Sequence, residues 1–123
     1  MKKLTAIVVD DNIDAANVFT EYLEIKKIKV IGIGYNGKDA VDLYEKLRPG
    51  VIFLDVMMPT YDGFYALERI RTIDKNVIVI MVTGDLRPNT EKKLEDLLAS
   101  AIVYKPYDMN KIVETVHQLS QNI

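Results

Sequence analysis

Short apolar runs rich in β-branched residues alternate along this chain with longer stretches whose apolar positions recur every three or four residues, and that alternation admits few folds. The runs are Leu4 to Val9, Lys29 to Tyr35, Val51 to Leu54, Val77 to Val82 and Ala101 to Tyr104. Several of them are apolar on both faces, as strands covered from two sides must be. Between and after them, Ala16/Phe19/Leu23, Ala40/Leu43/Tyr44/Leu47, Leu67/Ile70/Ile73, Leu94/Leu97/Leu98 and Met109/Ile112/Val113/Val116 each form one apolar stripe on a charged helix. Five strand–helix pairs in succession predict βαβ units and therefore an α/β fold on a parallel sheet. The punctuation agrees: Asn36-Gly37, Pro49-Gly50 and Asp62-Gly63 are turn or cap dipeptides, and Asp108 is placed to cap the last helix. There is no repeat, linker or low-complexity segment, so residues 1–123 read as a single domain.

Composition removes several function classes. The chain is 49% hydrophobic and 28% charged, enough to bury a core and stay in solution. Its 16 Lys and Arg against 18 Asp and Glu leave a net charge of −2, with no basic excess for a phosphate backbone, so direct nucleic-acid binding is not expected. With no cysteine there is no disulfide, thiolate metal site or thiol nucleophile, which suits a reducing compartment. The apolar runs are too short for a signal peptide or a membrane span, and a cytoplasmic location with no membrane insertion is the expectation.

An open parallel sheet binds ligands beyond the C-terminal ends of its strands. There the sequence puts Asp10-Asp11 after the first strand, Asp55 after the third, Thr83-Gly84 after the fourth and Lys105-Pro106 after the fifth. Three carboxylates converging on one edge repel one another, so they take up a proton or recruit a cation. The ligands are all oxygens, which favours Mg²⁺ over zinc or copper. A carboxylate can attack phosphorus to form an acyl phosphate when the charge on the equatorial oxygens is neutralised. Lys105 supplies a cation, Thr83 a hydroxyl donor, and Gly84 room beside the backbone.

These residues resemble the receiver domains of two-component response regulators nearly end to end. The resemblance rests on Asp10-Asp11, Asn36-Gly37, the segment from Asp55-Val56-Met57-Met58-Pro59 to Asp62-Gly63, Thr83-Gly84 and Lys105-Pro106, in that order. It implies a doubly wound, flavodoxin-like five-stranded sheet of order 2-1-3-4-5 and a cis bond before Pro106. It implies phosphorylation of Asp55 by a sensor histidine kinase or phosphotransfer protein, with Asp10, Asp11, Asp55 and the Met57 main-chain carbonyl holding Mg²⁺. Thr83 and Lys105 would then read the phosphoryl group. The chain looks like a stand-alone receiver: a signalling domain with weak autophosphatase activity, not a metabolic enzyme, whose phosphorylated form docks on a separate effector protein.

Other readings compete. Gly32-Ile33-Gly34-Tyr35-Asn36-Gly37 spells the dinucleotide-binding fingerprint, with Asp55 about 20 residues on, but it follows the second strand and leaves Asp10-Asp11 and Lys105 unexplained. Asp10, Asn12, Asp14 and Glu21 have calcium-loop spacing, but Ala15 stands where that loop needs glycine. An Asp-nucleophile phosphatase would carry an acid where Met57 stands. As helix caps Asp10 and Asp11 would be unremarkable, but Asp14 is better placed to cap the first helix, and that frees the pair. Met57 and Met58 read as packing side chains, and His117 as a surface or half-buried residue.

Two positions depart from the family. Most receivers carry an aromatic residue where this chain has Ile102, so Tyr104, on the same strand face, is the candidate replacement. With Tyr107, Lys92 and Lys93 these residues mark the expected switch and partner face, formed by the fourth helix, fifth strand and fifth helix. At the positions that tune acyl-phosphate hydrolysis stand Met57 and Asp85; methionine holds an attacking water poorly, so slow dephosphorylation is expected.

Overall fold

In the computed structural model, which describes residues 4–121, every predicted strand and helix forms, but the fourth helix stops at Asp96, so Leu97 and the exposed, left-handed Leu98 of its expected stripe lie beyond it. The strands are β1 (Thr5–Val9), β2 (Lys29–Gly34), β3 (Val51–Asp55), β4 (Ile78–Thr83) and β5 (Ala101–Tyr104). They alternate with α1 (Ile13–Ile25), α2 (Gly37–Leu47), α3 (Gly63–Ile73), α4 (Pro88–Asp96) and α5 (Met109–Gln121). All strand pairs are parallel, in the order β2-β1-β3-β4-β5. This is the doubly wound sheet that the resemblance implies.

Burial explains the strand compositions. Every residue of β3 and β4 is buried, whereas the edge strands β2 and β5 are mostly half-buried. α1 and α5 cover one face of the sheet, packing Ala16, Phe19, Leu23, Ile112 and Val116 against Val8, Phe53 and Ile80. α2, α3 and α4 cover the other, packing Tyr44, Leu67, Ile70 and Leu94 against Ile7, Ile52 and Met81. Side chains alternate between these layers along each strand, so the last residue of a strand has its direction set by the pleat.

The starts of α1, α2, α3 and α5 are capped by side chains, whereas that of α4 has no side-chain cap. Asn36 accepts from the Asp39 N–H at 2.8 Å and Asp62 from the Tyr65 N–H at 2.9 Å. Asp108 accepts from the Asn110 N–H at 2.9 Å. For α1 the expected cap was Asp14, but Asn12 performs it, accepting from the Ala15 N–H at 3.0 Å. Asp14 lies inside the first turn, where its charge favours the helix dipole but its side chain is past the capping position. The Lys105–Pro106 peptide bond is cis, as expected. Among the described residues, no helix is long and apolar enough to cross a membrane.

Candidate phosphoacceptor site

Asp55 closes β3, the central strand, and the pleat turns its side chain, like that of Phe53, to the α1–α5 side of the C-terminal edge. It is 7% exposed. Carboxylate oxygens of Asp10, Asp11 and Asp55 lie within 4.8 Å of one another, with Asp10 half-buried and Asp11 exposed. The predicted triad is therefore assembled. Burial pushes the Asp55 carboxyl up from its ordinary 3.8 to about 6; Lys105 opposes this, Asp10 and Asp11 add to it, and a hydrogen bond from the Met57 main chain opposes it. Lys105 Nζ is 3.7 Å from Asp55 Oδ2, long for an ion pair, and its side chain is 40% exposed. One lysine thus faces three carboxylates, and the excess negative charge fits a hard divalent cation held by oxygen ligands.

Thr83 closes β4 and is fully buried. Its Oγ1 accepts the main-chain N–H of Asp85 at 3.0 Å. At Gly84 a Cβ would meet nothing within 4 Å, so open space adjoins the backbone there. Gly63, at the start of α3, is needed for close approach: a Cβ would come within 2.4 Å of the Asp55 carbonyl oxygen. That close approach places the start of α3 against the backbone of Asp55 itself. Met58 is buried in the core, but Met57, expected to pack as well, is 57% exposed because it stands in the loop beyond the sheet edge. His117 is exposed on α5.

A cavity of about 370 Å³ opens beside the carboxylates, lined by Asp10, Asp55 and Lys105 at its polar side and by Phe19, Phe53 and Tyr107 among its apolar walls. This apolar wall is the physical source of the desolvation that raises Asp55. Phe19 stacks edge-on against Phe53 at 5.1 Å and against Tyr107 at 5.5 Å. Tyr107 therefore belongs to the α1–α5 side of the sheet, whereas Ile102 packs into the core under α3 and α4. Tyr107 thus lies on the α5 side of β5, whereas Ile102 and Tyr104 lie on its α4 side, and both sides belong to the expected face of α4, β5 and α5. Tyr104 does turn toward α4, its hydroxyl donating to Glu91 at 3.1 Å. Of the two lysines assigned to that face, Lys92 pairs with Asp96 at 3.4 Å and Lys93 sits 4.2 Å above the Phe64 ring.

The sequence reading missed an exposed apolar row on α1, Ala15, Val18, Tyr22 and Ile25, which starts at the cavity with Ala15 and runs away from it along the helix. Their three- and four-residue spacing is in the sequence, one position before or two beyond the buried stripe of Ala16, Phe19 and Leu23. The glycine fingerprint loses its ligand role. Cβ atoms at Gly32 and Gly34 would press on Leu43, Leu47 and Asp39, and one at Gly37 would come within 2.4 Å of the Asp62 carbonyl oxygen. These glycines let α2 and the loop after β3 pack closely. The calcium-loop spacing fails because α1 begins at Ile13, so Asp14 and Glu21 lie on a helix.

The receiver domain model of response regulators matches residues 6–117. Protein CcdB of Bacillus subtilis is 33% identical over 113 residues, covering 92% of this chain and 94% of its own. Chemotaxis protein CheY of Treponema pallidum is 31% identical, covering 89% and 78%. Among solved structures, the receiver domain of the DNA-binding response regulator merR from Colwellia psychrerythraea superposes with a TM-score of 0.84 at 31% identity, covering 96% of this chain and 98% of that one. A chain of the CheX–CheY–BeF3–Mg²⁺ complex from Borrelia burgdorferi superposes with a TM-score of 0.89 at 25% identity, covering 95% and 89%. This chain belongs to the response regulator receiver domain family of two-component systems.

Proposed function

We propose that residues 1–123 act as one phosphoacceptor receiver in which Asp55 takes a phosphoryl group from the histidine of a sensor kinase or phosphotransfer protein. The observation that carries this reading is a nearly buried carboxylate at the end of the central strand, facing two further carboxylates and one lysine. Asp10, Asp11, Asp55 and the Met57 carbonyl would hold Mg²⁺, which supplies positive charge to the phosphoryl oxygens when bound. That charge also favours the ionised Asp55, which burial alone disfavours at neutral pH.

In the transfer, an Asp55 carboxylate oxygen attacks phosphorus in line with the departing imidazole nitrogen. The P–N bond breaks and its electron pair stays on that nitrogen, which leaves as neutral imidazole when the other ring nitrogen carries a proton. Lys105 stabilises one phosphoryl oxygen, and the Thr83 hydroxyl donates to another. The phosphorylated form then docks on a separate effector protein, and the protein works in the cytoplasm. With Met57 exposed and unable to orient a water strongly, the acyl phosphate is slow to hydrolyse.

The test is intact mass after incubation with Mg²⁺ and acetyl phosphate. Wild type gains one labile phosphoryl group; Asp55→Asn and a sample treated with a chelator gain none. A wild type that gains nothing, or an Asp55→Asn variant that gains equally, overturns the assignment.

A further inference from the structure

Gly37 opens α2 at a helical position, where alanine is the better helix former and no positive φ calls for glycine. What the missing side chain permits is contact with the loop between β3 and α3. A Cβ at Gly37 would lie 2.4 Å from the Asp62 carbonyl oxygen and 2.9 Å from that of Tyr61. The Gly37 N–H donates to the Tyr61 carbonyl at 2.7 Å. The last glycine of the fingerprint thus presents bare backbone to the loop that follows the phosphoacceptor.

Tyr61 is held from a second side. Its ring centroid lies 5.0 Å from that of Tyr65, in the first turn of α3, and the Arg69 guanidinium sits 4.9 Å from the Tyr65 ring. The Tyr61 N–H donates to the Pro59 carbonyl at 2.8 Å, which folds the chain tightly around Thr60. At the base, the Gly63 N–H closes the loop onto the Val56 carbonyl at 2.8 Å. Residues 56–63 therefore form one closed loop, tied to α2 by main chain and to α3 by a ring.

Met57 stands in that loop with its side chain exposed, so the direction of its carbonyl follows from how the rest of the loop is tied. The buried Met58 fixes the inner side, and Tyr61 fixes the outer end. Mg²⁺ demands near-octahedral oxygens at about 2.1 Å, so a main-chain ligand serves it well only when its loop is fixed beforehand. A side chain at position 37 would force the Asp62 carbonyl to retreat from 2.4 Å to an ordinary contact distance. Closure at Val56 and Gly63 would pass that displacement to the residues between them.

We propose that Gly37 and Tyr61 are positioning residues for the Mg²⁺ ligand on Met57: their main-chain contact, braced by the Tyr61–Tyr65 ring pair, sets where the Met57 carbonyl points. The assignment rests on the phosphoacceptor reading of the site. It also gives the last glycine of the dinucleotide-like motif a task at the metal end of the sheet, without any nucleotide.

The test is calorimetric titration of the metal-free protein with Mg²⁺, together with the amide resonance of Met58, whose peptide bond contains the Met57 carbonyl. Gly37→Ala weakens Mg²⁺ binding by about tenfold and displaces the Met58 resonance before any metal is added. Tyr61→Leu, which keeps the main-chain contact and removes the ring, weakens binding several-fold, and Tyr61→Phe restores it. Gly32→Ala is the control for packing alone, because a Cβ there meets only the side-chain ends of Leu47 at 3.0 Å, Leu43 at 3.2 Å and Ile7 at 3.5 Å. It leaves both Mg²⁺ affinity and the Met58 resonance as in wild type. Wild-type affinity in Gly37→Ala or in Tyr61→Leu overturns the proposal, as does an equal loss in Gly32→Ala. If these variants behave as expected but wild type gains no phosphoryl group from acetyl phosphate, the phosphoacceptor reading fails and the positioning of the metal ligand stands.

Discussion

At the N-terminal edge of the sheet the Arg71 guanidinium is buried, yet its nitrogens are well matched. It donates to the carbonyls of Val77 at 2.7 Å, Leu98 at 2.8 Å and Asp74 at 3.3 Å, and to Ser100 Oγ at 3.0 Å. Nearby, the Tyr44 hydroxyl donates to Asp74 at 2.6 Å and is the first cause holding that carboxyl below its ordinary value. At the opposite edge Asp55 is as deeply buried, but its nearest cation is 3.7 Å away and two like charges face it. The loop that follows it also sets Thr60, a β-branched residue, in the left-handed region at φ 68. Burial of a charge therefore says little until its partners are counted. A satisfied charge fastens α3 to the loops entering β4 and β5, whereas an under-compensated one stays ready for a ligand.

The contrast can be broken most forcefully at Arg71. Arg71→Met takes this donor from the Val77, Leu98 and Asp74 carbonyls, leaves Ser100 Oγ with the Val79 N–H, and should cost about 3 kcal/mol in urea unfolding, with phosphoryl gain at Asp55 intact. A loss below about 1 kcal/mol would make that edge ordinary.

Asp55→Asn should act in the opposite sense, stabilising the metal-free protein by about 2 kcal/mol at pH 7 by removing a buried anion. The sign follows from the proton. With its carboxyl raised from 3.8 to about 6, the folded chain binds a proton that the unfolded chain has lost across that window. Stability of the metal-free wild type should thus rise by about 1 kcal/mol from pH 7 to pH 5 and be lost again as pH climbs through 6. Asp74 and Asp85, held below 3.8, do not titrate in this range. A variant with the same pH slope as wild type would show that the charge is better solvated than its burial implies.

Thr60→Gly should relieve the left-handed residue and stabilise by about 0.5–1 kcal/mol, the strain relief being partly offset by the freedom glycine adds to the unfolded chain. No gain would mean the loop holds Thr60 without cost. Met57→Asn, at an exposed position, should leave stability within about 0.5 kcal/mol of wild type. Loss of the acyl phosphate, followed by intact mass over time, should nevertheless become several-fold faster.

Much of this was legible before any coordinates, for reasons that are local. Strand and helix periods differ, Asn36, Asp62 and Asp108 announce helix starts, and a parallel sheet sends the ends of its strands to one edge. Asp10, Asp11, Asp55, Thr83 and Lys105 could therefore be assigned to one site from their places at strand ends. Asp14 was expected as the cap in place of Asn12 because both residue types can cap, and a two-residue shift of the helix start decides between them.

What only the tertiary structure decided depends on distances between residues remote in sequence. Packing put Tyr107 against Phe19 on the α1–α5 side and Tyr104 against Glu91 of α4. The apolar wall that raises Asp55 is assembled from α1, β3 and the segment after β5. Arg71 looked like one more charged residue on α3 until the loops before β4 and β5 closed over it. Periodicity along the chain determines which face of an element is apolar, because that depends on neighbours in sequence. Which buried polar group is matched and which is left wanting depends on how separate elements meet, and that is settled by packing.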